Sequence, residues 1–331
     1  DIKRSYYGDI ELFKSKTVFV WSLILFAILL VLPWFIAKTH FLGLSVYLLN
    51  LIMIHAIVAI GLNILVGYTG QISMGHAGFF AIGAFTTVMF VGKIGLPLLI
   101  ALPLGALISA GAGFILGLPS LRLEGPYLAI ATMGFGMAVT TIIKHAEFFG
   151  GRMGLQAPKI YLFGTAMKDL HFYYLICAIG VILTIAAIKL FKTKVGRAFI
   201  AIRDSDVAAE TMGVNLNYYK TLSFAVSAFY TGIAGGLYAF ILGFINPEGF
   251  HIIMSITFLA MVVIGGVGSI MGSIAGAILM TYLDVKLQAI QDIPGIGAFL
   301  VSFSEQYMSV SGISNVAIIV YGLIMVLIIL F

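Results

Sequence analysis

The sequence predicts an all-α fold, a polytopic membrane helical bundle with two pseudo-repeated halves and broken or re-entrant helices. Three observations carry that expectation. Hydrophobic residues make up 61% of the 331 positions and charged residues only 9%, whereas a soluble domain carries about a quarter charged residues. Apolar runs long enough to cross a membrane follow one another along the chain; about 20 helical residues at 1.5 Å each span a hydrocarbon core of about 30 Å. Each half also contains one Gly/Ser-rich interruption. The composition excludes a soluble enzyme, and a single transmembrane domain over 1–331 is expected.

The candidate spans are 17–37, 41–66, 70–91, 95–118, 126–143, 172–190, 221–243, 255–283 and 315–331. Charged side chains fall between these runs or at their edges, as expected when a charge at the bilayer centre costs about 2.5 to 3.5 kcal/mol on insertion scales. The first run follows Lys3, Arg4, Lys14 and Lys16. It exceeds the roughly 7 to 15 residues of a signal core and carries Pro33 and Trp34 where a cleavage site would stand, so it reads as a retained helix. The sequence opens on Asp1 and stops inside an apolar run at Phe331, so further residues are expected at both ends.

Basic residues set the orientation. Four lie in 1–16, six in 189–220 (Lys189, Lys192, Lys194, Arg197, Arg203 and Lys220), and Lys286 alone in 284–314. The positive-inside rule puts the first two segments in the cytoplasm and the third outside. Loop 144–171 must then face out although it carries four basic residues. Two further full crossings after 220 would return the chain to the cytoplasm. The run 255–283 is therefore expected to be two half-helices or a re-entrant pair, broken at Gly265-Gly266-Val267-Gly268-Ser269. The first half carries its own break between Gly67 and Gly78.

Paired interruptions mark an internal repeat around a transport pathway. Gly70, Gln71, Ser73 and His76 in the first, with Gly265, Gly266, Gly268 and Ser269 in the second, are the candidate translocation residues. Glycines at small-xxx-small spacing, such as Gly232 with Gly236 and Gly272 with Gly276, read as close helix packing. His55 and His76 are the ionisable side chains inside spans. His55 reads as a hydrogen-bonded interior residue, while for His76 pathway and packing roles both stand. No acidic residue accompanies them, which weighs against a proton-coupled secondary transporter.

Chemistry is expected elsewhere than in this chain. Cys177 is the one cysteine, so no intrachain disulfide forms. The net charge of +5 is spread over run ends, which fits lipid headgroups and no nucleic acid. Gly92-Lys93 is followed by Ile94, so no phosphate-binding loop is present, and no metal or hydrolase motif appears. No catalytic residue, metal site or cofactor is therefore assigned.

In the cytoplasmic segment, Asp204 or Ser205 can cap a short helix, Asp206 suits its positive end and Gly213 can stop it. A helix pinned between two spans can transmit force from a soluble partner; a solvated amphipathic loop is the plainer alternative.

Six stretches occur in order: Gly67 to Phe85, Arg122 to Gly136, Gly150-Gly151-Arg152-Met153-Gly154-Leu155, Gly196 to Gly213, Asn246-Pro247-Glu248-Gly249-Phe250, and Gly265 to Ser269. Together they resemble the LivM-type permease of branched-chain amino acid ABC importers. The resemblance implies a bacterial or archaeal cytoplasmic membrane and a cycle of alternating access. It implies as partners a homologous LivH-type permease, two cytoplasmic ABC ATPases carrying ATP and Mg, and an extracytoplasmic substrate-binding protein. It makes 191–220 a coupling segment, with Arg203, Asp204, Glu210 and Gly213 expected at ATPase contact, and 144–171 an external loop. Glu124 and Glu248 fall in matched motifs at span edges. Arg152-Met153 departs from the Pro-Asn commonly seen there. The alternatives are a urea or short-amide permease of the same design, an ATP-independent secondary transporter, and a passive channel.

Overall fold

The computed structural model describes residues 27–36, 45–120, 123, 125–162 and 165–289. The expected span 315–331, Glu124 and most of 284–314 lie outside the described residues. A helical segment, α1, covers Ala27–Ile36. It is followed by α2 (Val46–Thr69), α3 (His76–Gly92), α4 (Leu98–Ser120), α5 (Pro126–His145) and α6 (Asp169–Lys192). Two short helices, α7 (Lys194–Asp204) and α8 (Asp206–Thr211), precede α9 (Leu216–Leu242), α10 (Ile252–Gly265) and α11 (Ile270–Ala289). Five of these, α2, α4, α5, α6 and α9, are long and apolar enough to cross a membrane. The strands among the described residues are two-residue pairs: β1 (Leu155–Gln156) with β4 (Phe244–Ile245), and β2 (Tyr161–Leu162) with β3 (Thr165–Ala166).

Small residues let the centre of the bundle close. Helix α9 packs most extensively on α4, then on α3 and α2. Gly83 of α3 sits against the Gly232 backbone, Gly235 of α9 against the Phe80 carbonyl, and Gly113 of α4 against Phe224 and Ala228. Without a hydrophobic drive between helices in lipid, such close backbone approach supplies the packing energy. The hydroxyl of Ser109 lies 3.0 Å from the Phe79 carbonyl oxygen and 2.9 Å from that of Ala228, so it bonds α4 to α3 and α9 at their crossing.

The boundaries differ from the expected spans at both breaks. The expected span 70–91 is helical only from His76, because Gly70 takes a left-handed φ of 71° and ends α2. Helix α2 runs on to Thr69, past the expected end at 66. The expected run 255–283 is two helices separated by Gly266–Ser269, where Gly266 and Gly268 have φ of 104° and 81°. Gly265 packs on Gly272 and Gly276 on Met261, so α10 and α11 form a hairpin. Helix α11 is antiparallel to α2, as Asn63 meets Ser269 and His55 meets Thr281 at 2.8 Å. The chain leaves on the side from which it entered, which is the re-entrant pair that the charge pattern requires.

The end of the bundle away from α7 and α8 is tied together by polar contacts. Strands β1 and β4 join the 144–171 loop to the connection after α9. Lys144 pairs with Glu248 at 2.7 Å, and Lys93 donates to the Phe148 carbonyl at 2.7 Å. The Lys144 hydrogen bond and charge, with Arg152 further off, hold the Glu248 carboxyl below the usual carboxylate range.

Gly83→Ala is expected to lower the melting temperature of the detergent-purified protein, since its methyl would enter the Gly232 backbone and overpacking costs about 1 to 3 kcal/mol. Gly111→Ala, with nothing within 4 Å of its added methyl, is expected to leave melting unchanged in the same fluorescence assay.

Candidate functional site

Helix breaks leave backbone donors and acceptors unpaired, and at membrane depth the protein itself must satisfy them. In the first break, the Gln71 N–H returns to the Leu65 carbonyl at 3.1 Å. The Met74 N–H donates to Thr132 Oγ1 of α5, and the Ala77 N–H to Ser255 Oγ of α10, both at 2.9 Å. The break is thus stitched to two other helices by hydroxyls.

Helix α9 holds the same break from its other side. Gln71 Nε2 donates to Ser223 Oγ at 2.8 Å, and Ser223 donates to the Lys220 carbonyl at 2.7 Å. His76 bridges Ser227 Oγ through Nε2 at 2.7 Å and Ser73 Oγ through Nδ1 at 3.0 Å. Lys220, Ser223 and Ser227 fall at i, i+3 and i+7, one face of a helix. At the head of this stripe the Lys220 ammonium, 8% exposed, pairs with Asp206 of α8 at 2.5 Å. A polar line therefore runs from the surface helix α8 to the buried imidazole of His76.

The second break is held by one side chain. Asn63 of α2 accepts from the Gly268 N–H at 2.8 Å and donates to the Ser269 carbonyl at 2.9 Å. One turn later, Gly67 approaches Gly268 so closely that a Cβ at Gly67 would enter both the Asn63 amide and the Gly268 N–H. Arg203, near the end of α7, completes the junction. Its Nη1 donates to the Gly67 carbonyl at 3.2 Å, while Nε and Nη2 donate to Asp204 Oδ1 at 3.1 and 3.0 Å. Cβ atoms built on Gly70 and Gly268 would stand 3.4 and 3.2 Å from the Arg203 side chain. Both breaks meet α7 at the Arg203 side chain, Gly70 against its Cγ and Gly268 against its guanidinium.

Of the residues singled out from sequence, Gly70, Gly268 and Arg203 come together. Gln71, Ser73 and His76 are enclosed, at 6%, 0% and 0% exposure; Gln71 and His76 reach α9, while Ser73 bonds His76. Gly265 packs inside the α10–α11 hairpin, Gly266 faces open space, and Ser269 caps α11 by accepting from the Gly272 N–H at 3.1 Å. Asp204 is exposed beside Arg203. Glu210 and Gly213 stand apart at the end of α8; Gly213 lines a groove with Lys194, Arg197 and Tyr219. Ser205, rather than Asp204, caps α8 by accepting from the Ala208 N–H at 3.2 Å. Among the described residues no three His, Cys, Asp or Glu side chains gather as a metal site.

Sequence reasoning missed Asn63, Thr132, Ser223, Ser227 and Ser255, the partners that hold the breaks. The 220/223/227 spacing was a readable signal; a single Asn or Ser on an apolar helix was not.

The permease component of the branched-chain amino acid transport system, as a family model, matches residues 44–329. The chain belongs to this family. It is 37% identical over 262 residues to the high-affinity branched-chain amino acid transport system permease protein LivM of Salmonella typhimurium, and equally to that of Escherichia coli. In each case 71% of this chain is covered, and the chain spans 62% of the relative's length. It is also 28% identical over 250 residues to the guanosine ABC transporter permease protein NupQ of Bacillus subtilis, covering 66% of this chain and 77% of that one. No solved structure matches the chain significantly.

Asn63→Leu is expected to destabilise the protein by about 1 to 3 kcal/mol, because the Gly268 N–H loses its acceptor, whereas the Ser269 carbonyl keeps the N–H and hydroxyl of Ser273. An unchanged melting temperature would remove Asn63 as the clasp of the second break.

Proposed function

We propose that this chain is the membrane-spanning permease subunit of an ATP-driven importer of branched-chain amino acids, in a bacterial or archaeal cytoplasmic membrane. The meeting of both breaks at Arg203 carries this reading. A passive channel does not need a cytoplasmic helix pair fastened to its interior. Here α7 is fastened through Arg203 to Gly67, and α8 through Asp206 to Lys220. A push on α8 reaches the first break along the α9 stripe and the second through Gly67 and Asn63.

The push comes from two cytoplasmic ABC ATPases, which bind ATP and Mg. Helix α8 and the residue that caps it expose Val207 and Met212 at 75% and 84%, with Glu210 between them in sequence. An apolar pair with an acidic neighbour is a compact contact for such a partner. Asp204, Glu210 and Gly213 belong to that contact, whereas Arg203 receives the displacement from within. A homologous LivH-type permease completes the membrane unit. A substrate-binding protein delivers the amino acid at the opposite end, where the 144–171 loop is knitted to the connection after α9. Gly70, Gln71, Ser73, His76, Gly265, Gly266, Gly268 and Ser269 are the moving joint of the pathway, with the enclosed side chains acting as its fasteners.

The test is uptake of labelled leucine, isoleucine, valine, urea and guanosine into proteoliposomes, comparing the whole complex with this chain alone, with and without ATP. Aliphatic amino acid uptake that needs the complex and ATP supports the reading; ATP-independent flux through this chain alone overturns it. Asp206→Asn in the complex is expected to lower uptake by about 5- to 150-fold, the span of a coupling energy of about 1 to 3 kcal/mol, while ATP hydrolysis persists. Val207→Asp with Met212→Asp is expected instead to reduce co-purification of the ATPases.

A further inference from the structure

A cavity of about 210 Å³ opens between α3, α5 and the start of α10. Met74, Met133, Met137, Phe250 and Ile252 make most of its wall, to which Ser255 and Thr140 add hydroxyls and His251 an imidazole. Among the described residues no Asp, Glu, Lys or Arg lines it. Its inner wall is the first break itself. Met74 and Ala77, both lining residues, are the two positions whose N–H groups are held by Thr132 and Ser255. Gly136 of α5 lines the cavity too, and lies 3.0 Å from where a Cβ on Gly78 would stand. Small residues let α3 and α5 meet behind the cavity while the methionines border the space.

We propose that this cavity is the subsite that takes the aliphatic side chain of the amino acid during transit. The inference rests on the function proposed above and adds to it the place where side-chain chemistry is read. At about 30 Å³ per water, the space equals roughly seven waters, room for a branched four-carbon side chain. Methionine is unbranched and polarizable, so three thioethers can reshape around leucine, isoleucine or valine. Apart from the His251 imidazole, the wall offers the ammonium and the carboxylate no ionisable partner. Binding here is accordingly weak, as a conduit requires if substrate is to leave as readily as it enters. The wall also belongs to the segment that Gln71 and His76 fasten to α9, so displacement of that segment changes the cavity's shape.

The experiment uses the whole complex in proteoliposomes with its binding protein. Met133→Trp and Met137→Trp fill the cavity; Met133→Leu with Met137→Leu keeps it apolar and of similar size. The tryptophan variants are expected to lose about tenfold or more of leucine uptake, with valine less affected, while the leucine variant transports normally. Assembly of the complex and its melting temperature are expected to hold in all three. Should a tryptophan variant fail to fold, Met137→Cys, alkylated by N-ethylmaleimide after assembly, gives the same block, and leucine under turnover slows the alkylation. Wild-type leucine uptake in the tryptophan variants and the alkylated protein would overturn the subsite and leave the cavity to a lipid chain. Absence of aliphatic amino acid uptake in the unmodified complex would overturn the permease reading itself.

Discussion

A backbone that leaves helical geometry inside hydrocarbon has no water to turn to, and each unpaired N–H or carbonyl there costs several kcal/mol. Among the described residues, the two breaks at 70–75 and 266–269 leave helical geometry within the bundle. The surrounding helices are arranged around that debt. Thr132 and Ser255 serve the first break, and Asn63 serves the second. Each lies on a different helix, so satisfying the breaks also sets how α2, α5 and α10 sit around them. Close packing of glycines on α3, α4 and α9 then brings those helices near enough for short hydroxyl bonds to reach.

Much of the architecture was legible from sequence. Apolar length located the helices, and the charge asymmetry between 189–220 and 284–314 required a re-entrant element where the α10–α11 hairpin is found. Both breaks were readable because glycine density of that kind has no use inside a straight helix. Their edges were less so. His76 begins α3 although the hydrophobic run starts at Gly70, since hydropathy does not distinguish an enclosed non-helical turn from a helix.

The site was legible in residue type and not in direction. An arginine between polar neighbours reads as a surface contact, yet the Arg203 guanidinium reaches back to the Gly67 carbonyl. What turns it inward is the absence of side chains at Gly67, Gly70 and Gly268, which come from distant parts of the chain. Only their meeting makes the vacancy that an arginine fills. Gln71 and His76 likewise reach for Ser223 and Ser227, and the register of α3 against α9 that pairs them is a tertiary fact. The Lys220–Asp206 pair was harder still, because burying a lysine is costly unless a carboxylate pairs with it, and its partner lies 14 residues away on another helix.

The clasp at Asn63 bears on how many resting shapes the protein can adopt. Two independent hinges would permit four combinations of open and shut, two of them mixed states in which one half yields without the other. Here the last turns of α2 are shared property: Asn63 holds the second break, and Gly67 holds the arginine that abuts both. A frame with one common pin swings as a unit. In the proposed permease, such a frame would favour two shapes over four, and a half-opened intermediate would be disfavoured by carpentry rather than by a separate gate.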